Sequence, residues 1–244
     1  MLTVVLVVIA YLLAGCVKGV VGMGLPTVAI GILAIVLTPA QAAAILIAPS
    51  LATNIWQALA GPHFAALLKR LTGMLVGLYV GAWLGAGILT GANAGRAALG
   101  LGLALIAYAA LGLSNLRFSI ARKTEIWVGP LVGVATGIVM AATGIFVIPA
   151  LPYLHAIGLE KDELVQALGI HFTISTFALV AVLWSGNAFD SGLGILSLVA
   201  IVPAIAGMMI GQRVRKNVSV ATFRFWLFIA LLVLGGQLVF RHLF

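Results

Sequence analysis

Apolar residues in this chain neither alternate nor form a stripe; they run on. Ten stretches are almost devoid of charge: 2–16, 25–37, 40–60, 71–90, 94–114, 126–141, 144–157, 164–184, 189–211 and 218–240. A helix that is apolar all round is buried in protein or in lipid. The longer stretches have the length a helix needs to cross a hydrocarbon core of about 30 Å. Four are shorter and come as two pairs, 2–16 with 25–37 and 126–141 with 144–157, each interrupted by glycine or small polar residues. The pattern predicts an all-α polytopic membrane protein, with residues 1–244 as one membrane domain.

Charge then orients the spans. Only 7% of residues are charged, against about 25% in a soluble domain, too few to clothe a water-soluble globule. The net charge of +8 does not point to nucleic acid, because the cations cluster between apolar runs, at His63–Arg70, Arg117–Lys123 and Arg213–Lys216. Aromatic platforms interleaved with basic residues are absent from these clusters. If each short pair is a hairpin, all three clusters fall on one side, and Arg96, Asp190 and Arg241 fall on the other. If each pair makes one broken crossing, Arg213–Lys216 lands opposite the other two. The positive-inside rule favours hairpins, with both termini external and a cytoplasmic linker at 115–125. The lone Cys16 excludes an intramolecular disulfide. Leu2–Leu13 has no basic segment before it and reads as a span rather than a cleaved leader.

An internal repeat accompanies this layout. Gly15-Cys-Val-Lys-Gly-Val-Val-Gly-Met-Gly24 is echoed by Gly133-Val-Ala-Thr-Gly-Ile-Val-Met-Ala-Ala-Thr-Gly144, with Gly15 on Gly133 and Gly19 on Gly137. Pro26 and Pro149 follow the two motifs. Ala44–Thr53 overlays Ala167–Thr176, placing Ser50 on Thr173 and Thr53 on Thr176. The expected architecture is two inverted repeats, 2–114 and 126–240, each a Gly-interrupted hairpin plus three transmembrane helices. Paired Gly-interrupted segments in two halves are the best sequence pointer to a transporter's binding site. A broken helix exposes backbone N–H groups, and the positive end of its second half attracts anions.

Lys18 lies beside the first break, and all five acids (Glu125, Glu160, Asp162, Glu163, Asp190) fall in loops or at span ends. A lysine at bilayer centre costs about 2.5–3.5 kcal/mol, so it either holds a bound anion or snorkels to the interface. Gly19, Gly22 and Gly24 let backbone approach a ligand closely, and Thr143 and Gly144 mark the second break. His171, near the middle of its span, either binds an anion or relays a proton, or is a neutral histidine bonded to a neighbouring helix. The hydroxyls of Ser50, Thr53, Thr173, Ser175 and Thr176 could donate to an oxyanion or bond back to their own helix. Thr53 and Thr176 stand out because the repeat pairs them. Asn54 and Gln57 are further candidates toward the end of their span. The tryptophans and methionines read as interfacial anchors and packing.

Val17-Lys-Gly-Val-Val-Gly-Met-Gly-Leu-Pro26 resembles the opening motif of the sulfite exporter TauE/SafE family, also called toluene sulfonate uptake permeases. Gly133–Pro149 resembles that family's second copy, with its glycines reduced to Ala141-Ala-Thr-Gly144. The resemblance implies an inner-membrane secondary transporter of sulfite, sulfonates or other organosulfur anions. An anion channel and a non-transporting assembly subunit compete with that reading. No metal-ligand pair, catalytic triad or phosphate-binding loop appears, so neither an enzyme nor a cofactor is expected. The expected partners are a small anion, the lipid bilayer and, left open, a second copy of the chain.

Overall fold

A computed structural model describes residues 2–89, 94–114, 119–188 and 191–243. Among these residues the chain is all helix and turn: α1 Leu2–Val21, α2 Leu25–Leu33, α3 Pro39–Leu59, α4 Phe64–Leu84, α5 Ala94–Leu113, α6 Glu125–Thr143, α7 Ala150–Ala156, α8 Lys161–Ser185, α9 Ser191–Val199, α10 Ile201–Val214 and α11 Val220–Leu243. Eight spans are long and apolar enough to cross a membrane, with Gly192–Val214 counted as one. The chain is a multi-pass membrane protein. Arg117 and Asp190, invoked above for sidedness, lie outside the described residues.

Four boundaries differ from the sequence reading, each for a physical reason. The first helix runs on to Val21, so Lys18 sits in its last turn rather than beyond it. Gly15 and Gly19 do not break it because both lie flat against α10, where a Cβ would collide with the carbonyls of Ala204 and Met208. The break comes at Gly22 and Gly24, whose φ values of 88° and 99° suit glycine. Residues 144–157 are not one helix: left-handed Gly144, φ 76°, closes α6, and α7 starts only at Ala150. Helix α4 starts at Phe64 instead of 71 and takes in Lys69 and Arg70, because Arg70 is satisfied there by a two-pronged pair with Glu125 at 2.6 and 2.9 Å. The 189–211 stretch divides at Ala200, where Pro203 cannot donate to the Val199 carbonyl one turn earlier.

Small residues set which helices touch. Gly207 and Gly211 of α10 meet the backbone of Leu12 and Cys16, and Gly15 and Gly19 of α1 meet Ala204 and Met208. Position numbers rise together, so α1 and α10 are parallel. Helices α4 and α6 repeat the arrangement: Gly77 and Gly81 meet Pro130 and Val134, while Gly133 and Gly137 meet Met74 and Leu78. Such contacts let backbones approach closely where lipid supplies no hydrophobic drive. By contrast α3 is antiparallel to α8, and α5 to α11: Gly169 abuts Ala58 while Ser50 meets Thr176, and Gly102 abuts Gly235 while Tyr108 meets Phe228.

Each short helix returns to the end of the bundle where its partner began. The Arg70 guanidinium, held by Glu125 at the start of α6, also donates to the Ile157 carbonyl after α7, at 2.7 Å. At the opposite end Arg241 donates to the Ile35 carbonyl after α2, also at 2.7 Å. Lys69, Arg70, Arg122, Lys123, Arg213, Arg215 and Lys216 share the Glu125 end.

Candidate functional site

The polar centre of the bundle is the seam between α3 and α8. Helix α3 starts on a capping box, Thr38 with Gln41, with Pro39 in the first turn where a missing N–H costs nothing. Helix α8 starts on a second one, Glu160 with Glu163. Pro49 interrupts the α3 hydrogen-bond ladder in mid-helix. Just past it, Ser50, Thr53, Asn54 and Gln57 are all buried.

Lys18 reaches this cluster from α1. Its side chain is only 4% exposed. The ammonium donates to Thr53 Oγ1 at 3.1 Å and to Asn54 Oδ1. Thr53 commits its own proton to the Pro49 carbonyl at 2.8 Å, so it meets Lys18 with a lone pair. Asn54 Nδ2 donates to Ser50 Oγ at 2.8 Å. Thr176 gives its proton to the Phe172 carbonyl at 2.7 Å, so in the 3.1 Å contact of Ser50 with Thr176 the serine donates. A directed chain of hydrogen bonds thus runs from the Lys18 ammonium through Asn54 and Ser50 to Thr176, joining the two halves of the molecule.

Among the described residues both hydrogen-bond partners of the Lys18 ammonium are neutral. Among the described residues the ion pair is Arg70 with Glu125, at the basic end. No acid lies in α1, α2, α3, α9, α10 or α11. Hydroxyl and amide dipoles soften the burial of the ammonium without neutralising it, and an uncompensated buried charge is strongly unfavourable. The arrangement leaves a buried cation whose contacts are lone pairs of neutral groups, a charge that a small anion could neutralise.

The remaining predicted residues fall into three other places. Gly22 and Gly24 form the turn just after Lys18, where the Gly22 carbonyl accepts from Gln57 Nε2 at 3.2 Å. Gly19 serves the α1–α10 contact. Thr143, Gly144 and His171 gather at the second break. Thr143 Oγ1 accepts from Ile145 N at 3.1 Å, and Gly144 packs against Ile30 of α2 and Ala43 of α3. His171 Nε2 sits 2.8 Å from the Phe146 carbonyl, so that nitrogen carries a proton. His171 Nδ1 and Ser175 Oγ, one turn apart and fully buried, lack protein partners. Among the described residues no hydrogen bond joins this second cluster to Lys18.

Ser50 and Asn54 prove to be integral to the Lys18 cluster, and their signal was spacing: four residues apart, they share a helix face with each other. Gln166 escaped the sequence reading. It ties α8 to the end of α3, donating to the Ala58 and Gly61 carbonyls at 2.8 and 2.6 Å and accepting from His63 N at 3.0 Å. A lone glutamine near a span end carries no sequence signal of that role.

No curated protein and no solved structure matches the chain. One family does, and it covers residues 7–238, nearly the whole length and both glycine motifs. Eight apolar spans and a buried cation without an acidic partner suit a family of membrane exporters of sulfur anions. The chain belongs to the sulfite exporter TauE/SafE family.

Proposed function

We propose that this protein is an inner-membrane secondary carrier for a small sulfur oxyanion such as sulfite or a sulfonate, and that Lys18 is the group that draws the anion in. The buried ammonium with only neutral partners carries this reading. A sulfur oxyanion offers several acceptors around one negative charge, and it would take over ammonium protons now held by Thr53 and Asn54. Sulfite and sulfonates share this chemistry, so the site favours the class rather than one member.

Alternation between sides follows from two inverted halves. Counterpart helices pair antiparallel at α3–α8 and α5–α11, and the α1/α2 and α6/α7 hairpins open toward opposite ends. Both features support inversion about an axis in the membrane plane. Rocking of one half on the other would expose the α3–α8 seam to each side in turn. The basic end then faces the cytoplasm. Among the described residues no carboxylate bonds to Lys18, so export is driven down the anion's own gradient and the membrane potential unless the second cluster supplies a proton step.

Flux through the purified protein in liposomes tests the proposal. Sulfite, sulfate, thiosulfate, alkyl and aryl sulfonates and carboxylates are offered in turn. A carrier gives saturable uptake of sulfite or a sulfonate, accelerated by the same anion on the opposite side. Unsaturable flux without that acceleration would mean a channel, and no flux of any anion would mean an assembly role.

A further inference from the structure

The basic clusters at the Glu125 end are not equivalent. Arg70 is neutralised by Glu125, and Arg122 and Lys123 precede that same glutamate in the chain. Among the described residues Arg213, Arg215 and Lys216 form no such ion pair. They close α10, where outward-pointing carbonyls favour cations. The helices packed on α10, namely α1, α3 and α9, carry no acid among their residues. Uncompensated positive charge therefore collects at this helix end.

A pocket of about 180 Å³ lies there, lined by Met209, Gln212, Arg213 and Lys216. Its lining changes character along the helix. Met209 is about half exposed and continues the lipid-facing surface of Val202, Ile205 and Ile210. One turn further on, Gln212, Arg213 and Lys216 are exposed polar groups. With Met209 as its apolar wall and the two cations and amide of the same helix end above it, the pocket fits a molecule with hydrocarbon below and a phosphate above.

We infer that this pocket holds the phosphate of an anionic phospholipid in the leaflet at the basic end. The guanidinium of Arg213 and the ammonium of Lys216 supply the charge, the Gln212 amide supplies a hydrogen bond, and Met209 meets the upper acyl chain. A free phosphate would use the same polar groups but would gain nothing from the apolar wall.

Spin-labelled phosphatidylglycerol and phosphatidylcholine, with the full-length protein in vesicles, read this out as the fraction of label immobilised. Phosphatidylglycerol should be held preferentially and lose its advantage as salt rises. Each basic residue near a membrane surface is worth about five-fold in association, so R213Q should weaken the preference about five-fold and R213Q/K216Q about thirty-fold. The conservative pair R213K/K216R should keep it. R122Q/K123Q, in a neighbouring basic cluster, should also keep it, and its folding is independent of the pocket. Equal loss in R122Q/K123Q and R213Q/K216Q would reduce the effect to general surface charge and overturn the site. Displacement of the lipid by millimolar inorganic phosphate would assign the pocket to a soluble anion and overturn the lipid. An unchanged preference in folded R213Q/K216Q would overturn both.

Discussion

Ser50 Oγ stands 3.1 Å from Thr176 Oγ1 across the α3–α8 seam, yet the internal repeat equates Ser50 with Thr173 and Thr53 with Thr176. A two-fold relation produces this kind of crossed contact, because residue i of one copy then meets residue j of the other. Its mate should be Thr53 opposite Thr173. Disulfide trapping in a Cys16→Ser background checks it. S50C/T176C and T53C/T173C should both cross-link, and Q57C/V180C, which would pair only if α3 and α8 were parallel, should not. Cross-linking of Q57C/V180C alone would make the halves parallel repeats.

The hairpin topology places Asn217, in the exposed turn after α10, on the cytoplasmic side together with Arg213, Arg215 and Lys216. Asn217→Cys, again with Cys16→Ser, should resist a membrane-impermeant thiol reagent added outside intact cells and react once the membrane is opened. Labelling from outside would invert the orientation.

The glycine contacts predict a sharp contrast within one residue type. A methyl group at Gly19 would collide with the Met208 carbonyl in the α1–α10 contact, whereas the space beside Gly194 is open. G19A should lower thermal stability by about 1–3 kcal/mol, the usual range for overpacking. G194A should be neutral or slightly stabilising, since alanine favours helix. Thermal unfolding of the two variants in detergent separates them. Equal stability would mean that α1 and α10 do not touch at Gly19.

Much of this molecule was legible from sequence because charge is so scarce in it. The spans announced themselves, and Lys18 stood out as a cation beside a break while every acid lay in a loop or at a span end. The glycine repeats were legible in position, but a Gly-x-x-x-Gly pattern looks the same whether it breaks a helix or docks one. Only the backbone of α10 across from Gly15 and Gly19 tells the two apart. Thr53 was legible as a candidate, but its pairing with Lys18 was not. Asn54 reads as one more polar residue toward a span end until the Lys18 side chain is brought over α3. The second break misled in length, since Ala150–Ala156 is seven residues of helix within a fourteen-residue apolar run, and hydropathy does not register a chain that leaves the helix at Gly144.

Asn54→Asp tests the electrostatic account without changing side-chain size. It places a carboxylate against the Lys18 ammonium, where the asparagine carbonyl now accepts. Two opposite charges about 4 Å apart attract by about 4 kcal/mol at an effective dielectric of 20. An anion must compete with that carboxylate, so transport should fall by up to about 1,000-fold while the folded protein becomes no less stable. Flux and thermal unfolding on the same preparation read both. Undiminished transport by N54D would show that the anion does not visit Lys18.

Lys18→Met keeps most of the apolar bulk and removes the charge on which the proposed site rests. The measurement is concentration-dependent uptake of sulfite by liposomes containing the purified K18M protein, with counterflow as a second readout. The variant should insert and fold, since a buried cation without an acidic partner is a burden relieved. Its saturable uptake should be abolished or strongly weakened. Uptake equal to that of the parent at every sulfite concentration would make Lys18 a packing residue and contradict the proposed site.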